Sequence, residues 1–170
     1  MTLVELVIVL GLIGILSALA FASLRGTLPR YRLEGATRDL AEGLILARMR
    51  AISTNREHRF VPDLAADSFV VDEGDATDNA TVWTRRSAGG GPESWPWVDL
   101  YRADNLVDGE IRFNTDGSAD PYDNRAYDFI YLDGGSQAGR RCVGVRMADG
   151  RVWVGRPTAT DCEPDRGIRK

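Results

Sequence analysis

The strongest constraint on the fold of this chain is an uncharged apolar stretch of nineteen residues, 6–24, close to its N-terminus. A helix rises about 1.5 Å per residue, so this stretch makes a rod of roughly 28 Å, near the hydrocarbon thickness of a bilayer. A rod that is apolar on every side is not covered by an ordinary globular domain. The sequence therefore predicts a helix that can span a membrane.

The charges around this stretch are unusual. Glu5 precedes it directly, no basic residue precedes it, and Arg25, Arg30 and Arg32 follow. Basic residues are retained on the cytoplasmic side of a span, so either the body is cytoplasmic or a basic leader before Met1 has been removed. A secretory signal peptide fits poorly, because the n-region is not basic and the apolar run continues through the weak cleavage site at 17–20.

Glu5 leaves two interpretations open. A carboxylate at the edge of a span can reach headgroup water, or it can pair with a cation inside a protein assembly. In the second case the nearest cation is the N-terminal amine of a neighbouring copy.

The two cysteines, Cys142 and Cys162, lie near the C-terminus with no second pair to suggest zinc. A bridge between them would add roughly 3 kcal/mol to stability and would indicate an oxidising compartment. The alternative is two unrelated buried thiols.

After the apolar stretch the helical pattern continues, with a predicted bend at Pro29. Glu34, Arg38 and Glu42 lie on the polar side, and the helix is predicted to end at 53–55 after about 50 residues. The apolar side is formed by residues at three- and four-residue steps: Leu33, Ala36, Leu40, Leu44, Ala47 and Ala51.

From His58 the period changes from 3.6 to 2, which predicts one antiparallel β-rich domain. Residues 148–150 are predicted to form a hairpin turn, and residues 88–93 a flexible loop. The predicted class is α+β, with a filament or membrane half-helix at 1–25, an amphipathic half at 26–55 and a β-rich head at 56–170. The predicted strands are 59–61, 68–71, 81–84, 97–100, 111–113, 127–132, 143–146 and 152–154.

Residues 1–16, MTLVELVIVLGLIGIL, resemble the mature N-terminus of the type IV pilin superfamily. The resemblance implies cleavage of a basic leader by a prepilin peptidase and N-methylation of Met1, within a motif that includes Thr2 and Leu3. It also implies that Glu5 neutralises the N-terminus of an adjacent subunit. Met1 replaces the commoner Phe, and Ala22 stands where many major pilins have Pro.

Three further segments are similar to the GspH/FimT type of minor pilins and pseudopilins. They are the helix 39–52, the turn 111–117 with Thr115 in place of Pro, and the hairpin 149–154 followed by Cys162. The resemblance implies a structural filament subunit and not an enzyme, with other pilin subunits as partners. The subunit would be held in the bacterial inner membrane by a single span before assembly, with its head in the periplasm.

Three roles follow from this resemblance and its alternative. The favoured role is a minor pseudopilin of a type II secretion system, acting in pseudopilus assembly and protein secretion. The second is a minor pilin of a type IV pilus, acting in priming, adhesion or DNA uptake. The third is a single-span anchored periplasmic binding domain that never polymerises.

Charge is unevenly distributed, with net charges of +3 over 1–59, −11 over 60–139 and +4 over 140–170. Some FimT-like pilins bind DNA through a G-R-x-R hairpin, and Arg151 occupies the position of its first Arg, while Trp153 replaces the second. Arg140, Arg141 and Arg156 complete the basic surface. Because the overall pI is near 5.1, a solvated basic face is favoured over DNA binding.

Acidic loops raise the question of calcium, which prefers six to eight oxygen ligands. The candidates are Asp72, Glu73, Asp75 and Asp78, and separately Asp116, Asp120 and Asp123. Neither set has EF-hand spacing, and Asp is common in exposed turns, so no metal or other cofactor is expected.

His58 is the only histidine and lies at the helix-to-strand junction. No nucleophile or carboxylate pattern accompanies it, so a surface or capping role is predicted. The four tryptophans, Trp83, Trp95, Trp97 and Trp153, are predicted to be core or subunit contacts.

Overall fold

The computed structural model describes residues 2–91, 93–101, 109–120, 126–158 and 162–165, with the backbone alone at 18–26. Within these ranges the chain forms one long helix, one short helix and ten strands, and the strands pair in an antiparallel manner. The predicted α+β class, a long N-terminal helix on an antiparallel β-rich head, is confirmed.

Helix α1 runs from Leu3 to Thr54 without interruption, and Pro29 lies inside it. Thr2 caps its first turn, and Asn55 ends it in the left-handed conformation, with its N–H donating to the carbonyl of Ala51. Asn tolerates this conformation because its short polar side chain can bond locally. The predicted helix end is therefore confirmed, and the rod is about 78 Å long.

The strands form two five-stranded sheets. Sheet 1 has the order β3-β2-β1-β5-β6, and sheet 2 has the order β10-β9-β8-β7-β4. Sheet 1 contains β1 (His58–Asp63), β2 (Ser68–Gly74), β3 (Trp83–Gly90), β5 (Ile111–Phe113) and β6 (Ala119–Asp120). Sheet 2 contains β4 (Asp99–Tyr101), β7 (Tyr127–Asp133), β8 (Arg140–Arg146), β9 (Arg151–Pro157) and β10 (Cys162–Pro164), and the four-residue helix α2 (Gly135–Ala138) joins β7 to β8.

One hydrophobic core joins α1 to the inner faces of both sheets. All six apolar helix positions predicted from the sequence are buried in it, beginning at Leu33. Sheet 1 contributes Phe60 and Val71, and sheet 2 contributes Ile130 and Val143. The C-terminal half of α1 is thus the central element on which the head is built.

The structure corrects the strand boundaries in the middle of the chain. The strand predicted at 81–84 begins at Trp83 and continues to Gly90, so residues 88–90 are not a loop as predicted. Gly89 pairs with Phe69, and a Cβ on Gly89 would approach that ring to 2.5 Å, so glycine is needed within the strand. Trp97, predicted to be in a strand, instead lies in a turn with φ of 70°, and β4 begins at Asp99.

Candidate assembly surface

The N-terminal turn of α1 is closed by a capping box. The Thr2 hydroxyl accepts from the Glu5 N–H at 3.4 Å, and the Glu5 carboxylate accepts from the Thr2 N–H at 3.4 Å. An acid in the first turn also interacts favourably with the helix dipole. Glu5 therefore has two local roles, as part of the capping box and as an acid in the first turn, whatever it meets in an assembly. Met1 lies outside the described residues.

Residues 3–17 carry apolar side chains that are exposed on every side of the helix. Leu3 is 81 % exposed and Leu16 65 %, whereas Leu33, where the head begins, is 2 % exposed. None of the helices, over the part of the chain that is described, has the length and apolarity of a membrane-crossing segment. The predicted span extends through residues 18–24, whose side chains are outside that part.

The head-bearing half of α1 has a second apolar stripe, which was not predicted from the sequence. Ile45, Leu46, Met49 and Ile52 are between 38 % and 61 % exposed, on the side away from the core. The steps of three and four residues between them are the sequence signal that could have predicted this stripe.

This stripe borders a groove between α1 and the edge strand β3. The groove has a volume of about 540 Å³, and Leu46, Met49 and Phe69 are among the residues that line it. An exposed edge strand beside exposed apolar residues is a typical protein-contact surface.

Cys142 and Cys162 form a disulfide with an S–S distance of 2.07 Å, as predicted. The bond ties the edge strand β10 to β8, across the intervening β9. Trp153 on β9 lies over Gly144 and donates its indole N–H to the carbonyl of Cys162 at 3.1 Å. The C-terminal strand is thus fixed both covalently and by packing.

The four arginines considered for DNA binding lie in sheet 2, where Arg140, Arg141 and Arg156 contact carboxylates of the chain itself. Arg140 donates to Asp133 at 2.8 Å, and Arg141 bonds to both Asp165 and Glu34. Arg156 lies 3.7 Å from the same Asp165, and the Arg151 backbone N–H donates to Asp149. A phosphate would have to compete with these carboxylates for the described arginines.

Three of the carboxylates considered for calcium are engaged in other contacts. Asp72 pairs with Arg59 at 3.0 Å, and Glu73 with Arg86 at 2.6 Å. Asp75 accepts two backbone N–H groups of its own loop, which lowers the pKa of its carboxyl. Across the described residues, no three His, Cys, Asp or Glu side chains converge as a metal site would require, and Asp123 is outside those residues.

Ser118 engages the other acidic candidate, Asp116, through its N–H and its hydroxyl. These bonds lower the pKa of the Asp116 carboxyl. Asp120 is exposed at the end of β6. Asp78 is exposed in the loop that follows β2.

His58 is buried, so the predicted surface role is wrong. Its Nδ1 lies 3.2 Å from the Arg56 carbonyl, and its Nε2 lies 4.0 Å from the Glu73 carboxylate without a hydrogen-bond partner. Burial lowers the pKa of the imidazole. The difference arises because His58 is the first residue of β1 and lies on the same buried face of that strand as Phe60.

Comparison with solved structures places this architecture among pilin-like folds. The Pseudomonas aeruginosa type IV minor pilin FimU matches with a TM-score of 0.55 at 15 % identity, over 79 % of this chain and 94 % of that one. The minor pseudopilin EpsH of the Vibrio cholerae type 2 secretion system matches with a TM-score of 0.55 at 10 % identity, over 74 % of this chain and 98 % of that one. No protein-family model and no curated protein matches the sequence. The predicted pilin-like fold is confirmed.

Proposed function

We propose that this chain is a structural, non-enzymatic subunit of a pilus-like filament. The observation that carries the proposal is the bare apolar helix over residues 3–17, which makes no buried contact with its own head. Exposed apolar area costs about 25 cal/mol per Å², so this rod requires a cover. In a filament, the cover is the same helix of neighbouring subunits.

Before assembly, the cover is the bacterial inner membrane, with the head in the periplasm. The oxidising periplasm is consistent with the disulfide between Cys142 and Cys162. Prepilin peptidase would expose Met1 as the new N-terminus, which is then N-methylated. Glu5 would pair with the terminal amine of an adjacent subunit as the rod enters the filament.

The favoured machine is a type II secretion pseudopilus, with this chain as a minor pseudopilin, in line with the likeness to EpsH. The second candidate, a minor pilin of a type IV pilus, is supported by the equal TM-score of FimU. Deleting the gene separates them: loss of exoprotein secretion with normal piliation supports the first, and the reverse supports the second.

The role of Glu5 can be tested with Glu5→Gln. Glutamine at this position keeps the capping box with Thr2 but removes the charge. If charge neutralisation drives assembly, Glu5→Gln subunits will be present in the membrane in normal amount but will be absent from sheared filaments. Thr2→Val, which removes the cap and retains the charge, is the matched control and is expected to be incorporated. Normal incorporation of Glu5→Gln would contradict the assembly role.

A further inference from the structure

Trp97 is held in an exposed and strained position. Its side chain is 81 % exposed and its φ is 70°, a region that bulky residues rarely adopt. Its neighbours anchor the turn on both sides: Val98 is 3 % exposed, and Trp95 is 3 % exposed with its indole N–H donating to Asp39 at 2.9 Å. The fold therefore keeps a large aromatic ring in solvent at the expense of backbone strain, which points to a role outside the core.

Trp97 lies where α1 leaves the head. It lines a cavity of about 240 Å³ together with Pro29 and Arg32 of α1 and residues 134–137 around α2. Arg30 reaches the same region, where its Nε lies 3.5 Å from the Gln137 carbonyl. Burial of α1 in the head begins at Leu33, one residue beyond Arg32.

The position along the helix axis can be worked out from the sequence. The uncharged run ends at residue 24, so Pro29 and Arg32 lie about 8 and 12 Å further along the axis. The polar region of a bilayer occupies roughly 5 to 8 Å on each side of the hydrocarbon core. Trp97, which lines the cavity with both residues, is therefore at the outer edge of the headgroup layer when the apolar run fills the hydrocarbon.

Other side chains at this level have the same chemistry. Tyr31 is 68 % exposed and Leu28 is 49 % exposed, while Arg30 and Arg32 are exposed beside them. Trp and Tyr favour the membrane–water interface because one part of the ring is apolar and the other can hydrogen-bond. Arginines at the same level suit anionic headgroups.

We propose that Trp97 and Tyr31, with Arg30 and Arg32, form a second membrane contact that seats the base of the head against the outer edge of the headgroup layer of an anionic bilayer. The inference rests on the membrane stage of the proposed function and adds to it a contact made by the head. Two contacts far apart in sequence, α1 and the turn at residue 97, fix both the depth and the rotation of the head before assembly.

The bilayer is favoured over a protein neighbour because of continuity and charge. The patch continues the apolar rod directly and combines aromatic with basic residues. The exposed stripe at 45–52, farther along α1, has no aromatic residue and suits a protein surface better.

The test uses the full-length chain reconstituted in vesicles of phosphatidylcholine and phosphatidylglycerol, with and without lipids that carry a nitroxide on the headgroup. A nitroxide quenches tryptophan at short range, and the chain has four tryptophans. We expect nitroxide quenching of the intact protein, and loss of most of that quenching in Trp97→Phe. Trp153→Phe, which removes a ring from the outer face of sheet 2, is the control and should keep the quenching.

The outcomes separate the two proposals. Flotation of the protein with the vesicles, combined with equal quenching in the intact chain and Trp97→Phe, would overturn the interfacial contact alone. Failure of the intact chain to float with the vesicles would overturn the membrane stage and this inference together. Loss of quenching confined to Trp97→Phe would support both.

Discussion

Leu44 and Leu46 lie two residues apart on α1 and allow its two faces to be compared with the same substitution. Leu44 is 0 % exposed within the core, whereas Leu46 is 38 % exposed beside the groove. Replacing Leu44 by Ala removes three carbons, worth about 2.4 kcal/mol of transfer free energy at 0.8 per carbon. The enclosed cavity that remains raises the loss in unfolding free energy to about 3 to 4 kcal/mol.

Leu46→Ala should cost far less stability. Roughly 60 % of the side chain is covered, no enclosed cavity forms, and Ala is slightly favoured in helices, so we expect a loss of about 1 kcal/mol. Urea unfolding of each full-length variant in detergent micelles, followed by tryptophan fluorescence, measures both losses. If the exposed stripe contacts neighbouring subunits, Leu46→Ala will also reduce the amount of subunit in sheared filaments although its head remains folded.

Two results would refute this reasoning. Equal losses of unfolding free energy for Leu44→Ala and Leu46→Ala would mean that the two faces are assigned incorrectly. Normal filament incorporation of Leu46→Ala, with its small stability loss confirmed, would exclude this part of the stripe from the subunit contact.

Two further predictions concern the head. Replacing both Cys142 and Cys162 by Ala should lower the unfolding free energy by about 3 kcal/mol, because their sequence separation is 20; two alkylatable thiols in the unreduced native protein would contradict the bond. Burial lowers the pKa of His58, so the unfolded chain binds its proton more readily than the folded one. Stability from this group is therefore complete above the ordinary pKa of 6.5 and falls as the pH drops below it. His58→Gln should remove the part of the pH dependence of stability that His58 causes, as measured by thermal unfolding between about pH 7 and 5. A pH dependence that is the same in His58→Gln and in the intact protein would contradict this prediction.

The local patterns of the sequence were sufficient for the long helix and for most strands. The 3.6-residue period through Leu33 and Leu44 identified the buried face of α1, because residues three and four apart lie on the same face of a helix. Alternation identified the strand at 127–132, and the turn residues identified the hairpin at 148–150. Because the chain has only two cysteines, the sequence also predicted which residues would form the disulfide.

Other features depended on contacts between distant segments. The two-residue strand β6 and the short strand β10 exist because β5 and β9 supply hydrogen-bond partners, and three residues are too few for a periodic pattern. Gly89 and Gly90 indicated a loop, yet they pair with β2, and glycine is needed there because a side chain would meet the Phe69 ring at Gly89 and the Trp95 ring at Gly90. No local pattern contains that information.

The sequence by itself determined that this chain has an apolar rod joined to a β-rich head, because periodicity and the absence of charge are properties of neighbouring residues. The tertiary structure alone decided that His58 is buried, that the stripe around Leu46 is exposed, and that Trp97 lines a cavity with Pro29 and Arg32 of α1. Each of these depends on which surfaces the folded sheets cover, and that is fixed by packing between residues far apart in the chain.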